Sequence, residues 1–281
     1  MSTKNLTSDT DRRGAPALFA LAALLAFGLT ACDSLGPGGD TTVGVAFQTA
    51  SGGSASISGA SASLSGAPDA SAAISFSGTN GTLELSTAHI VVTDFALERA
   101  NAECDSVQNE DACEQFSADP RFIELPLDGG TSVAVSQQVP ADSYDELEFE
   151  VDDLEDDDGG EEHPAEQQLL EDIRGQFAEW PQDGSLRVTG TFTPADGSSP
   201  RDFTAYFEAE IEIEKEFPSP LVIEDGMGNQ TVTVTVDPSV WFTAADGSVV
   251  DLSQYDFEST SSVAEFEIEM ENGFTELEFE G

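Results

Sequence analysis

Alternating apolar and polar residues dominate the chain after residue 80. From Glu146 to Leu154, the apolar residues Leu147, Phe149 and Val151 alternate with glutamates. Successive side chains of a β-strand point to opposite faces, so this pattern predicts a strand with one buried and one hydrated face. Further strands are predicted at 82–98, 122–127, 132–139, 185–192, 203–216, 231–236, 263–270 and 274–279. Many short strands separated by turn residues predict a mainly β protein, an antiparallel sandwich of the immunoglobulin- or transthyretin-like kind.

The clearest predicted strand runs from Phe203 to Glu216. Its apolar residues share one face: Phe203, Ala205, Phe207, Ala209, Ile211 and Ile213. Glu208, Glu210, Glu212 and Glu214 share the other face, about 6.5–7 Å apart along the strand. We interpret this glutamate ladder as a hydrated strand face in a salty medium. The alternative is a cation-binding surface.

One short amphipathic helix is predicted at about 164–179. Leu169, Leu170, Ile173 and Phe177 recur at the spacing of one helix face. A proline at position 164 suits the first turn of a helix. The sandwich is therefore expected to carry a single amphipathic helix.

The first 31 residues are typical of a secretory signal. Lys4, Arg12 and Arg13 precede an uncharged run rich in Ala and Leu. The run is shorter than the roughly 20 apolar residues that a transmembrane helix needs. It ends in Leu29-Thr30-Ala31-Cys32, which resembles a bacterial lipobox. The resemblance implies that Cys32 receives a diacylglycerol and becomes the mature N-terminus, anchoring the protein to the cell envelope outside the cytoplasm. Whether the membrane is the inner or the outer one stays open.

Composition divides the chain into four parts. Residues 1–31 form the signal peptide, and residues 32–42 are a lipid-anchored tether. Residues 43–78 hold a candidate first strand at Val43–Phe47 and a low-complexity stretch, since 22 of the 28 residues at 51–78 are Ser, Gly or Ala. Such a stretch buries little apolar area and is typical of a linker or long loop. Residues 79–281 form the acidic sandwich domain.

Besides Cys32, the mature chain has two cysteines, Cys104 and Cys113. An even pair outside the cytoplasm indicates a disulfide. The alternative is a metal or redox pair, but no His or further Cys lies near them in the sequence. We therefore expect a small disulfide-closed loop.

The charge of the chain is strongly negative. With 55 acidic and 9 basic side chains, the formal net charge is -46. Nucleic-acid-binding proteins cluster Lys and Arg against phosphates, so this balance excludes nucleic acid as the expected partner. The expected membrane contact is the N-terminal lipid, because acidic surfaces are not drawn to anionic headgroups. Removal of residues 1–31 leaves -47, with Lys215 as the one lysine. This composition indicates a saline medium and predicts loss of stability at low salt.

The densest acidic run spans residues 152–162. Dense carboxylate oxygens suit Ca²⁺, and the candidate ligands are Asp152, Asp153, Asp156, Asp157, Asp158, Glu161 and Glu162. The EF-hand template fails because Leu154 occupies its first position. The two interpretations are a solvated acidic loop and a calcium site of another kind. No other cofactor is expected.

No sequence pattern predicts catalysis. The chain lacks a nucleophile elbow and a phosphate-binding loop. His89 is expected within a sheet and His163 near the start of the helix, rather than as ligands. Four aromatic residues could stack on sugars but more often pack in a core: Trp180, Trp241, Tyr144 and Tyr206. With so many acids, paired carboxylates do not indicate glycoside hydrolysis.

Several segments together resemble a family of uncharacterised bacterial extracytoplasmic lipoproteins. They are Thr79 to Leu83 with the strand through Arg99, the Cys104/Cys113 loop, Leu125-Pro126-Leu127, Pro140 to Glu150, Phe207 to Glu210, Trp241-Phe242 and Asp251 to Ser253. The resemblance covers about residues 79–281, implies an immunoglobulin- or transthyretin-like sandwich, and implies no activity. The expected function is therefore a non-enzymatic surface lipoprotein, a binding or envelope-structural module with an unidentified glycan or protein partner. The alternative is a calcium-dependent module, for example a carbohydrate-binding one, that uses the loop 152–162.

Overall fold

The computed structural model describes residues 41–50, 73–100, 118–154, 164–265 and 268–280. The strands in these ranges are β1 (Thr41–Thr49), β2 (Ile74–Gly78), β3 (Gly81–Arg99), β4 (Arg121–Glu124), β5 (Thr131–Val139), β6 (Ser143–Val151), β7 (Leu186–Pro194), β8 (Arg201–Glu208), β9 (Ile211–Val222), β10 (Gln230–Val236), β11 (Ala264–Glu265) and β12 (Phe274–Glu280). The helices are α1 (Pro164–Gln176), α2 (Pro238–Phe242), α3 (Phe257–Thr260) and α4 (Ile268–Glu271), with a 3₁₀ helix at Leu252–Gln254. The predicted mainly β sandwich is confirmed.

The smaller sheet has four strands in the order β12-β10-β1-β5. β1 pairs in parallel with β10 and antiparallel with β5, so most of its residues are buried. The strand predicted at Val43–Phe47 lies within β1. The sandwich therefore includes chain that precedes the predicted boundary at residue 79.

In the larger sheet, β6 and β7 lie end to end between β3 on one side and the strands β8 and β9 on the other. Both strands pair antiparallel with β3, β7 along its first half and β6 along its second. On their other side, β7 pairs with β8 and β6 pairs with β9. Only two residues separate β8 from β9, a reach of about 11 Å. If β6 and β7 lay on opposite sides of β3, β8 and β9 would be four strand spacings, or about 19 Å, apart. β6 and β7 therefore lie on the same side of β3, and β8 and β9 follow one another as a nearly continuous strand beyond them.

Ser185 closes the junction where β6 leaves the sheet and β7 begins. Its backbone N–H donates to the carbonyl of Phe207 at 2.9 Å, and its own carbonyl accepts from Val91 at 2.8 Å. Its hydroxyl oxygen accepts from the Ala209 N–H at 2.7 Å. Residues 164–184, which include α1, precede β7 and lie outside the strands of the sheet.

Four phenylalanines join the two sheets in the core. Phe47 and Phe274 come from the smaller sheet, and Phe95 and Phe149 come from the larger one. The ring of Phe149 lies 5.6 Å from that of Phe47 and 5.2 Å from that of Phe274, both edge-on. All four side chains are almost fully buried. Their apolar burial is the main force that holds the sheets together.

A second apolar cluster covers the outer face of the larger sheet. Its members are Val91, Leu154, Leu170, Ile173, Trp180 and Tyr206. Leu170 and Ile173 lie on α1, as the helical spacing predicted. The helix ends at Gln176, three residues before the predicted end. Residues 164–184 therefore shield the outer face of the larger sheet.

Several predicted boundaries are wrong. The predicted strand 203–216 is broken at Ala209–Glu210, because β8 and β9 pair with different strands. Within the predicted strand 263–270, the described residues form the two-residue strand β11 and part of α4. The predicted linker 51–78 includes β2, which pairs with β3.

Two Asp-Gly-Ser turns share one geometry. Gly197 has φ 83° and Gly247 has φ 77°, the left-handed conformation that glycine tolerates best. In each turn the serine N–H donates to the aspartate Oδ1, at 2.8 Å for Ser198 and 2.9 Å for Ser248. Hydrogen bonds from the serine hydroxyl, followed by those from its backbone N–H, lower the pKa of both aspartates. The two segments therefore share one turn chemistry.

Candidate functional site

The acidic face is a set of glutamates on the second half of the larger sheet. It comprises Glu98 on β3, Glu146, Glu148 and Glu150 on β6, and Glu212, Glu214 and Glu216 on β9. The register places Glu146 opposite Glu216, Glu148 opposite Glu214, and Glu150 opposite Glu212. Glu98 lies opposite Glu146 on the other side. Directly opposite residues have Cβ atoms about 4.5–5.5 Å apart, where like charges destabilise a sheet.

These glutamates face outward because the residues that alternate with them along each strand are buried in the core. Leu147, Phe149 and Val151 of β6 are fully buried. On β9, Ile211 and Ile213 are buried in the same way. The glutamates between them must then share the opposite face. The hydrated face predicted for both strands is present in the structure.

Crowding on the acidic face favours the protonated form of its central members. Burial, followed by the charges of Glu214, Glu98, Glu216 and Asp145, raises the pKa of Glu146 to about 7. The pKa of Glu150 is also raised, first by burial and then by Asp94, against a hydrogen bond from Thr93. At pH 7 about half of the Glu146 carboxyl groups are therefore protonated, whereas an ordinary glutamate would be ionised.

The predicted ladder Glu208–Glu214 is divided between elements. All four side chains are exposed, as expected for a hydrated face. Glu208 lies at the end of β8, Glu210 lies in the break, and only Glu212 and Glu214 lie on β9. The acidic face thus forms across three strands rather than along one. Sequence reasoning missed this, because the register between distant strands leaves no local signal.

Two of the seven predicted calcium ligands lie in the described part of the chain. Asp152 and Asp153 follow the end of β6, and the Asp153 N–H donates to Asp152 Oδ1 at 2.7 Å. Burial above all raises the pKa of Asp152 to about 7, with smaller contributions from Asp153, Glu150 and Glu210. The other five, Asp156, Asp157, Asp158, Glu161 and Glu162, lie outside the described residues. Within the described ranges, no group of three His, Cys, Asp or Glu side chains could hold a metal ion.

Cys32, Cys104, Cys113 and His163 also lie outside the described residues. Lipidation, the disulfide and the position of His163 therefore stay predictions. No helix in the described ranges is long and apolar enough to cross a membrane.

His89 is part of the sheet, as predicted. Its ring stacks on Phe122 at 5.1 Å and meets Phe177 edge-on at 5.2 Å. Burial, followed by the charge of Arg187, lowers the pKa of His89 to about 4. The imidazole is therefore neutral at pH 7.

Arg187 was not singled out by sequence analysis. It alternates with Leu186 and Val188, which are buried, so it lies on the outer face of β7. Its guanidinium carbon is 4.4 Å from the ring centroid of Phe177 and 5.9 Å from that of Tyr206. The sequence signal that could have identified it is an arginine at an outward strand position in a chain with only 9 basic residues.

The four aromatic residues considered for sugar stacking are packing residues. Trp180, Trp241, Tyr144 and Tyr206 are all buried. Trp241 donates its indole N–H to the Met270 carbonyl at 2.9 Å. The Tyr144 hydroxyl donates to the Pro140 carbonyl at 3.0 Å. Their burial makes packing their main role, although Trp241 and Tyr206 also contribute to the walls of cavities.

The comparisons with known proteins leave the family open. No family model matches the chain, and no curated protein matches it. One solved structure that is similar is "MbnP from Methylosinus trichosporium", at 16% sequence identity and a TM-score of 0.34. The match covers 73% of this chain and 79% of that one. A similarity of this size carries no argument about function.

Proposed function

We propose that the protein is a non-enzymatic lipoprotein of the bacterial cell envelope. The lipid on Cys32 holds it outside the cytoplasm, and the sandwich works as a binding or envelope-structural module in saline surroundings. The observation that supports saline surroundings best is the acidic face. Three glutamate pairs stand directly opposite each other on β6 and β9.

Salt explains how such a face can be part of a stable sheet. Opposed like charges cost about 0.2–1 kcal/mol per pair relative to neutral pairs. The Debye length falls from about 10 Å at 0.1 M salt to about 3 Å at 1 M. The repulsion between neighbouring glutamates is then largely screened. A protein that works in brine can therefore keep this face for solubility or cation attraction at little cost in stability.

The N-terminal sequence supports the anchor. Leu29-Thr30-Ala31-Cys32 follows an uncharged run of the length expected for a signal. A lipidated cysteine with two or three acyl chains holds a protein firmly, whereas one chain holds it weakly.

The anchor is tested by fractionating cells that express the full chain or its Cys32→Ser variant. We expect the wild type in the membrane fraction, with mass spectrometry finding acyl chains on Cys32. The variant should leave that fraction. Cys104→Ser is the matched control and should stay with the membrane. An unmodified Cys32 in the native membrane fraction would refute the anchor.

The alternative is calcium-dependent binding through the loop that follows β6. What favours it is the position of Asp152 and Asp153 at the root of that loop, both half-buried. A specific site would raise the melting temperature with Ca²⁺ far more than with Mg²⁺ or with NaCl of equal ionic strength. Screening alone predicts equal shifts at equal ionic strength. Equal shifts, unchanged in Asp152→Asn, would rule the calcium site out.

A further inference from the structure

Arg187 differs from the other arginines in the described part of the chain. Arg99 forms an ion pair with Asp142 at 3.0 Å, and Arg201 forms one with Asp251 at 2.9 Å. Arg121 donates to the Pro120 carbonyl at 3.1 Å. Arg187 makes no hydrogen bond or ion pair within the described ranges, and its Nε is buried without an acceptor. A buried donor without a partner is destabilising, and more so when it is charged.

The guanidinium borders a cavity of about 220 Å³ on the outer face of the larger sheet. The wall is formed by Phe177 and Tyr206, with Phe257 from α3 on the remaining side. Thr204 adds a polar edge, and Glu179 and Glu258 lie at the rim. The site is thus one cation, aromatic walls and an acidic rim.

The aromatic contacts fix the guanidinium. With its carbon 4.4 Å from the Phe177 centroid, the group is held by a cation–π interaction. Stacking of this kind leaves the in-plane N–H donors of arginine available. A carboxylate matches these donors, since it accepts two parallel hydrogen bonds from a guanidinium. The aromatic walls would bury the apolar body that carries the carboxylate.

We propose that this cavity binds a small organic monocarboxylate, whose carboxylate pairs with Arg187 and whose apolar body lies against Tyr206 and Phe257. The volume is below the roughly 300–1,000 Å³ of sites for larger ligands, so the ligand is small. The acidic rim repels a second negative charge, so dicarboxylates and phosphate bind more weakly. This site is independent of the acidic face and of the proposed anchor.

The first test uses the full chain without any substitution. Benzoate and its neutral analogue benzamide are titrated separately in 1 M NaCl, where long-range repulsion from the acidic surface is screened. Binding is followed by NMR shifts of aromatic ring protons and by calorimetry. We expect saturable benzoate binding at least about tenfold tighter than that of benzamide, which corresponds to about 1.4 kcal/mol. Equal affinities, or no saturable binding of benzoate, would overturn the proposal.

The second test uses matched arginine variants. Arg187→Gln should weaken benzoate binding at least about tenfold and bring it to the level of benzamide. Arg201→Gln is the control, because Arg201 also lies over a ring, that of Phe192 at 5.3 Å, but already has an acidic partner. It should bind benzoate as the wild type does. Unchanged affinity in a folded Arg187→Gln variant would overturn the proposal. If that variant does not fold, the comparison of benzoate with benzamide decides.

Discussion

Glu146 shows how position in a sheet changes the chemistry of a single residue. It has acidic neighbours on both flanking strands, Glu216 on β9 and Glu98 on β3. Its alternation with Leu147 was readable from the sequence, so its outward orientation could be predicted. Its raised pKa could not, because it depends first on burial in the folded sheet and then on glutamates that lie about 50 and 70 residues away along the chain. Local pattern determines which face a side chain occupies, and only the folded register determines what stands beside it.

Protonation of Glu146 should stabilise the protein. Its pKa is about 7 when folded, against 4.5 ordinarily, so the folded state binds more protons between these values. Stability from this group is full below about pH 4.5 and is lost as the pH rises through 7. We expect the melting temperature to rise more from pH 8 to 6 in wild type than in Glu146→Gln. Glu171→Gln, an exposed control on α1, should behave as wild type.

His89 acts in the opposite direction at lower pH. Its pKa is about 4 in the folded protein, against 6.5 ordinarily, so acid below pH 6.5 favours the unfolded state. The difference between wild type and Glu146→Gln at each pH removes this contribution. If that difference does not change from pH 8 to 6, the raised pKa of Glu146 is refuted.

Phe149 should be among the most costly core residues to truncate. Its side chain is fully buried and meets the rings of Phe47 and Phe274 across the two sheets. Phe149→Ala removes these contacts and leaves a cavity, at a cost of about 3–5 kcal/mol. Val133→Ala is the control, since Val133 is 64% exposed, and should change stability by less than about 0.5 kcal/mol. Denaturant unfolding measures both, and a Phe149→Ala cost as small as the control's would contradict the described core.

At the scale of elements, the larger sheet is organised by β3 and by the nearly continuous strand that β8 and β9 form. The sequence predicts most of the strands, because each alternates or is rich in β-branched residues over a short range. It does not predict that β6 and β7 lie end to end, since the pairing of both strands with β3 leaves no local signal in the sequence. The helical turn at Ile268–Glu271 was missed for a related reason. Alternating Glu and apolar residues there favour a strand locally, and the structure places a helix instead.

The junction at Ser185 gives a test of this arrangement. The serine hydroxyl accepts from the buried N–H of Ala209, which lies in the break between β8 and β9. Ser185→Ala removes the acceptor and leaves a buried N–H without a partner, at a cost of about 1–3 kcal/mol. Ser199→Ala, at an exposed turn, is the control and should be nearly neutral. Equal unfolding free energies for the two variants would show that the junction does not depend on this hydrogen bond.

At the scale of the whole molecule, the same strands supply the core and the acidic surface. The net charge of -46 is that of many disordered chains, yet the described ranges form a packed sandwich. The two are compatible because the acids alternate with apolar residues rather than replacing them. The cost is electrostatic self-repulsion, which depends on the ionic strength of the surroundings.

The central claim is that the acidic face makes stability depend on salt, and one measurement tests it most directly. Melting temperatures at low and molar NaCl are compared for wild type, for Glu146→Gln/Glu148→Gln/Glu214→Gln on the acidic face, and for the equally charged control Glu171→Gln/Glu224→Gln/Glu276→Gln. We predict that salt stabilises wild type and control strongly. The acidic-face variant should gain roughly 1–3 kcal/mol at low salt and depend less on salt than the control does. Equal salt dependence in both variants, or a wild type that is more stable at low salt, would contradict the account.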